Sequence, residues 1–390
     1  MERADAASAP KSAGTLRLVR PSAELIPAVD AFHARLHAAG GPLYRLGTAV
    51  DPELSDDGRS PAVWLETRFA FDGSAVRGGI MLQHHRLQSS RGDGSVVNLQ
   101  LPLSEGTIDR TYAHVGMWLI RTVLREFPNA YAVGMGSTDQ PLPRLLGAMR
   151  WAVVSVPFFF RVMKPGRFLR LMPILNRTPA RALLSRVARV TGGGWIGINA
   201  LHAAMSLRNR DRRAGSATST HPVTDWGTWA DEIWTASKST ISVAASRDAQ
   251  SLTGLYPLND DRLRSWEVRA AGRTIGWFTT LRTPMRDSAY FGDLTVATIL
   301  DCQAIPGHDS LVARAAQRIL LGMDIDLAIT NQQHEGWQHV FRGEGYLQAP
   351  SNFVLAVSPG LVASGGEGDQ ASILRRCHVT RGDGDGRLNL

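Results

Sequence analysis

Residues Asn98–Leu124 read NLQLPLSEGTIDRTYAHVGMWLIRTVL, and the fold turns on this stretch. A strand ends at Leu101-Pro102, because proline removes an N–H from any ladder. A short polar loop follows. Ile108, Tyr112, Val115, Leu119 and Val123 then recur at helical spacing, which predicts a helix over 107–126 closed by Phe127-Pro128. The start of such a helix offers unpaired backbone N–H groups and the positive end of the helix dipole, both suited to a pyrophosphate. Gly106, Ala113 and Gly116 are small enough to let a phosphate approach the backbone, and Arg110 supplies a charge-assisted contact. The same pattern equally suits an ordinary strand–loop–helix packed in a core.

Working outward, residues 16–165 read as a mixed α/β unit. Leu16, Leu18 and Val19 form a short strand that stops at Pro21, and Ser22 is placed to cap a helix carrying Leu25, Val29, Phe32 and Leu36. Strand-like runs follow at 62–71, 78–87 and 96–101. After the long helix come a strand at 130–135, a short helix at 141–149 and one final apolar strand at 153–163. The order strand, helix, strand, short helix, strand returns in residues 222–360, so two similar halves stand in tandem. Residues 166–221 between them read as a basic, largely helical connector. The ends, residues 1–15 and 361–390, are polar or glycine-rich and are expected to be disordered.

The chain of 390 residues carries a net charge of +8, and that charge is local. Between Arg161 and Arg213 twelve basic residues face one acid, Asp211, giving +11 there and −3 for the remainder. Only Cys302 and Cys377 occur, so no cysteine metal site or disulfide framework is expected. No stretch has the length of a signal peptide core or a membrane span, which points to a cytoplasmic protein, in contact with the inner membrane if the connector binds it. The connector sets Phe168, Leu169, Leu171, Met172, Ile174 and Leu175 among arginines. This suits a solvated helical face or a peripheral membrane helix. Nucleic acid is the less favoured partner, since aromatic residues are sparse here and no known nucleic-acid module appears.

On these residues the order of 16–165 resembles the GNAT acetyltransferase superfamily. Leu18-Val19-Arg20-Pro21 with the following helix is similar to that family's opening, and Val97 to Ile120 is similar to its acyl-CoA motif. Leu119-Ile120 matches the motif's aliphatic pair and Gly116 its second small position. His114 stands where the first glycine is usual. Thr111 stands where arginine or glutamine is usual, with Arg110 one place earlier. The resemblance implies two acyl-CoA N-acyltransferase folds in tandem, each a mixed sheet flanked by helices. It implies acetyl-CoA or another acyl-CoA as co-substrate, with no metal. Leu99, Leu101, Arg110, Thr111, His114, Val115 and Gly116 would hold the donor.

The family's amine attacks the thioester directly, helped by a positioned base. Glu105, in the loop after the strand, is the expected base, although an acid there also serves the helix dipole. Asn98, Gln100 and His84 are expected to orient the acceptor. The tyrosine that many members use toward the departing thiolate has no counterpart near Leu146.

In the second half Leu327–Val357 is similar to the family's closing strand–helix–strand, but Pro306 and His308 occupy the small positions of the phosphate loop. That half is therefore expected to bind the acceptor, a small molecule or a cell-envelope saccharide, through Asn331, His334 and Trp337. Two other readings stay open: a Fem-like aminoacyl transfer from charged tRNA, and a non-catalytic scaffold docked on a membrane.

Overall fold

The computed structural model describes residues 15–41, 44–48, 61–176, 183, 186–188, 191, 193–207 and 218–384. The chain forms two compact units. One takes its described residues from Met1–Asp57, Leu65–Gln83 and Leu99–Phe127, the other from Gly58–Trp64, His84–Asn98 and Pro128–Leu390. These bounds do not follow the two sequence halves, because strands β2 (Val63–Phe71), β3 (Val76–Ser89) and β4 (Gly94–Ser104) each run from one unit into the other.

In the first unit β1 (Arg17–Val19) pairs antiparallel with β2, from Arg17↔Phe71 to Val19↔Phe69. Helix α1 (Ile26–Ala38) buries Val29, Phe32 and Leu36 against Phe69, Val76 and Leu103. The cap expected from Ser22 is not made. The helix starts at Ile26 with Pro27 in its first turn, Leu25 at the N-cap and no side-chain cap bond. Helix α2 is shorter than its apolar spacing predicts, spanning Val115–Glu126. Residues 105–112 instead form two 3-10 turns, at Glu105–Thr107 and Arg110–Tyr112, capped by Ser104 and Asp109. A side chain at Gly106 would lie 2.5 Å from the Tyr112 carbonyl, so glycine lets the two turns fold onto each other. These local caps compete with the helix and delay its start.

The second unit contains part of one mixed sheet and the whole of another. In one, β4 pairs parallel with β5 (Ala130–Val133), and β15 (Val354–Val357) lies antiparallel between β5 and β6 (Ala152–Ser155). The other runs β14 (Leu347–Ala349), β7 (Phe158–Val162), β13 (Leu327–Asn331), β12 (Thr295–Ala304), β11 (Arg273–Pro284), β10 (Leu263–Ala270), β8 (Thr218–Pro222). Only β12–β13 is parallel within it. The single final strand expected over 153–163 is thus two strands in two sheets. Pro157 separates them because it has no N–H for a ladder, while its carbonyl accepts from the Gln332 amide. Each sheet is completed by a strand from the opposite half of the sequence: β7 enters the second sheet and β15 the first.

Helices flank the second sheet: α7 (Thr228–Ser237), α8 (Ala249–Leu255), α9 (Asp309–Leu321) and α10 (Glu335–Gly343), after α3 (Pro141–Ala148), α4 (Pro165–Leu171), α5 (Pro173–Asn176) and α6 (Gly193–Leu207). Among the described residues no helix is long and apolar enough to cross a membrane. The tail, expected to be disordered, is folded through residue 384. It forms α11 (Pro359–Ser364), α12 (Gln370–Arg375) and a 3-10 turn at Arg381–Asp383. Ser358, Asp369 and Thr380 cap these, and Leu361, Ile373 and Leu374 pack on Val243, Leu355 and Val357. Residues 209–220 read from their sequence as polar and loose, and of these 209–217 lie outside the described residues. Residues 218–220 belong to β8.

Close packing also sets the second sheet against α9. A Cβ on Gly276 would fall 2.4 Å from Val312 Cγ2 and 2.5 Å from the Gln303 carbonyl. Gly276→Ala is expected to destabilise the protein by about 1–3 kcal/mol through overpacking, read as a lower urea midpoint with unchanged slope.

Candidate active site

The first-half corner is built from the end of β4, the two 3-10 turns and the start of α2. Ladder pairing of β4 with β5 is limited to Val97↔Ala130 and Asn98↔Tyr131. Leu101 then takes a left-handed backbone, φ 47°, a costly conformation for a branched residue that pivots the strand before Pro102. His114 sits at the N-cap of α2 without a side-chain cap bond, so the amides of Val115, Gly116 and Met117 open the helix with no i−4 partner. Arg110, Thr111 and His114 are exposed and Gly116 half-buried, whereas Val115 and Leu99 are core residues. At Gly116 an added Cβ would approach nothing closer than Ser104 Cβ at 3.7 Å, which leaves room beside those amides. The Thr111 amide is already donated to Asp109 at 2.9 Å.

Glu105 does not stand as the expected base in an open cleft. It is buried, and each carboxylate oxygen accepts from a guanidinium: Arg35 Nε at 2.6 Å and Arg77 Nη1 at 2.9 Å. Arg77 also binds Asp72 at 2.7 Å and lies 4.3 Å over the Tyr112 ring. Burial raises the Asp72 carboxyl, but the Arg77 hydrogen bond and three bonds from Ser74 and Ala75 outweigh it and hold the carboxyl well below the usual range. This cluster fixes the 3-10 turns in place. Gln100 donates to Gln83 at 2.8 Å, and His84 stacks on Trp64 at 3.8 Å. Asn98 is fully buried and donates 2.7 Å to the Asp383 carbonyl, so it ties down the tail instead of facing an acceptor.

The second half contains a cavity of about 250 Å³. Parallel pairing of β12 with β13 stops at Thr298↔Ile329 while β12 continues to Ala304. Around the opening stand Gln303, Pro306, Asp309, His334, Trp337 and His378. His334 and Trp337, expected to bind the acceptor, are among the residues that line the cavity. Asn331, by contrast, is fully buried, donating to the Val156 carbonyl at 3.2 Å and accepting from Arg381 at 2.9 Å. Its role is to hold the β6–β7 turn and the tail. A shallower depression of about 390 Å³ beside the β10–β11 hairpin, lined by residues such as Thr218, His221 and Arg269, lacks comparable buried polar groups.

Beneath the cavity lies a charge cluster that pattern reading missed. Asp301 is fully buried and accepts four hydrogen bonds: Arg247 Nε at 2.6 Å, the Cys302 amide at 2.8 Å, Tyr256 Oη at 2.9 Å and His378 Nε2 at 3.1 Å. Arg247, also fully buried, donates to Asp383 at 2.7 Å and the Ala245 carbonyl at 3.1 Å. Burial raises the Asp301 carboxyl, but Arg247 and then His378 outweigh it and keep it ionised far below the usual range. Ionised Asp301 accepts from His378 Nε2 and so fixes the orientation of that ring. Likewise His334 Nε2 donates to the Thr240 carbonyl at 3.3 Å. Its Nδ1 is buried with no hydrogen-bond partner among the described residues. Burial, and then His378, lower the His334 pKa, so the ring is neutral at neutral pH. Burial raises the Asp309 carboxyl. The cavity therefore presents lone pairs and a carboxyl group to a ligand, together with a histidine oriented by a carboxylate. Among the described residues no group of His, Cys, Asp and Glu is arranged to hold a metal.

These elements define a mixed α/β protein of two mixed sheets flanked by helices, and in each a parallel pair of strands parts before a helix begins. No family model and no curated protein matches the chain. Solved structures do. A tandem GNAT protein from the clavulanic acid biosynthesis pathway aligns over 91% of this chain and 100% of its own, at 14% identity and a TM-score of 0.41. A GCN5-related N-acetyltransferase from Anabaena variabilis aligns over 88% and 72%, at 10% identity and 0.47. Saccharomyces cerevisiae N-myristoyltransferase with bound myristoyl-CoA aligns over 96% and 86%, at 10% and 0.47.

Proposed function

We propose that this protein is an acyl-CoA-dependent acyltransferase that moves an acetyl or longer acyl group onto an amine or hydroxyl of a polar acceptor. The observation that carries this reading is the second-half cavity, where His378 is held on buried Asp301. An imidazole oriented by a carboxylate is the arrangement a nucleophile needs when it must lose a proton as it attacks a thioester. In that step the acceptor's N–H or O–H proton passes to the imidazole. The acceptor atom bonds the acyl carbonyl carbon, the carbon–sulfur bond breaks, and the thiolate leaves and takes up a proton. The cavity's lone pairs at His334 and Gln303 favour an acceptor rich in donors, such as a saccharide or amino sugar.

The donor is assigned to the first-half corner. The uncapped α2 terminus with Gly116 suits the pyrophosphate, Arg110 adds charge, and the backbone at Leu99 and Leu101 meets the acyl-pantetheine arm. The chain works in the cytoplasm, at the surface of a membrane.

Calorimetric titration of acetyl-CoA tests the donor assignment. Gly116→Asp places a carboxylate where the phosphates would lie, while an acid in a helix's first turn leaves the fold intact. Affinity is expected to fall about tenfold or more, worth about 1.4 kcal/mol per decade. Unchanged affinity in Gly116→Asp would remove the donor from this corner, and no heat from the wild-type protein at millimolar ligand would remove it from the protein.

A further inference from the structure

Gln303 is 3% exposed and lines the second-half cavity near the end of β12. Its side-chain amide has a fixed polarity. Nε2 donates to Ser237 Oγ at 2.6 Å, and the Ser237 hydroxyl commits its single proton to the Trp234 carbonyl at 3.1 Å. A carbonyl oxygen only accepts, so Ser237 Oγ is left to accept from Gln303. Turning the amide over would set Oε1 against that oxygen, or take the hydroxyl away from the helix carbonyl. Gln303 Oε1 is therefore an acceptor, and it is buried with no hydrogen-bond partner among the described residues. Buried polar atoms are ordinarily paired, so this one calls for a donor that the protein does not supply. His334 Nδ1 is a second such atom on the lining. Asp309 adds a carboxyl group, and among the described residues that line the cavity there is no Lys or Arg. Any positive charge that His378 takes up is matched by Asp301 beneath it. Strand alternation puts Gln303 on the same face as Asp301, two residues earlier, and so on the side where His378 is held.

We infer that Gln303 is the residue that selects the acceptor: its Oε1 takes an N–H or O–H of the incoming molecule, so that the cavity admits an uncharged or cationic acceptor and turns away a phosphate ester or a carboxylate. The inference rests on the acceptor assignment above and narrows it. An amine or hydroxyl brings the hydrogen that Oε1 lacks. An oxyanion brings only lone pairs, to a lining that already holds them at Gln303 and His334, with no cation free to offset its charge. Ser237 acts through Gln303 as a positioning residue, because it decides which end of the amide the acceptor meets.

Calorimetric titration of the full chain without acyl-CoA tests this with matched pairs, ethanolamine against phosphoethanolamine and glucosamine against glucosamine phosphate. The unphosphorylated member of each pair is expected to bind about tenfold or more tightly than its phosphate. Gln303→Leu, which keeps the bulk and removes the acceptor, should weaken that binding about tenfold. Ser237→Ala frees the amide to turn, so the preference within each pair should fall severalfold at an unchanged melting point, a readout that a merely structural serine would not move. Failure of wild type to bind either unphosphorylated amine, equal or tighter binding of the phosphates, or a Gln303→Leu variant that binds like wild type overturns the inference; the last result would leave Oε1 to a bound water. Selective binding without acetyl transfer would uphold the selection by Gln303 and remove the acyl-transfer reading. Transfer that is indifferent to Gln303→Leu would do the reverse.

Discussion

Arg247→Ala is expected to destabilise the protein by about 3–5 kcal/mol, the loss typical of removing one partner from a buried ion pair. Arg247 is fully buried between two carboxylates, Asp301 and Asp383, both also buried. Without the guanidinium, Asp383 keeps its local bonds from Thr380, and Asp301 keeps the Cys302 amide, Tyr256 and His378. Two charges then remain in a low-dielectric interior with too few partners. The effect depends on pH, with a definite sign. The folded Asp301 carboxyl is depressed, so its contribution is complete above the ordinary carboxylate pKa, near ~4, and is lost as pH falls below it. Wild-type stability should therefore fall on acidification more steeply than that of the variant. Urea unfolding at pH 7 and at successively lower pH measures both; a change under about 1 kcal/mol at pH 7 would mean that the interior relaxes or hydrates around the vacancy.

His378→Gln is expected to lower turnover by roughly 10²–10⁴-fold while leaving the thermal midpoint within a few degrees. The glutamine amide can still donate to Asp301, so the charge cluster keeps its partner, but no basic nitrogen remains at the cavity. Thiol release from acetyl-CoA with small amines as acceptors reads the rate. The KM for the acceptor should stay near its wild-type value while kcat falls, a split that a purely structural role would not give. Wild-type turnover in a folded variant would end the case for His378 as the base.

The first-half corner was legible because it rests on periodicity. Val115, Leu119 and Val123 marked a helix that is present, whereas β4 runs past Leu101-Pro102, the expected strand end, to Ser104. The true start at Val115 was hidden because the caps at Ser104 and Asp109 act locally against an apolar spacing that continues back to Ile108. The charge cluster was invisible for a different reason. Pattern reading assigns Arg247, Asp301 and Asp383 to solvent, since an ionised group is buried only with partners that are distant in sequence. His378 was lost with the tail, whose glycine and aspartate content resembles disorder. The signals that existed were Ser358 before Pro359, Asp369 ahead of Ser372, and the Thr380–Asp383 capping box.

The crossing of β7 and β15 has a consequence for how the nascent chain matures. When β5 and β6 leave the ribosome, the strand that belongs between them, Val354–Val357, lies about 200 residues away in chain not yet translated. Meanwhile the apolar run Phe158–Val162 waits for partners at 327–331 and 347–349. Neither sheet can close vectorially, so both remain open until translation is nearly finished, and the last turn, Arg381–Asp383, completes the charge cluster. A ribosome-stalled chain ending before residue 354 should accordingly be protease-sensitive throughout and bind chaperones. Either half expressed alone should be insoluble, whatever its own sequence merits.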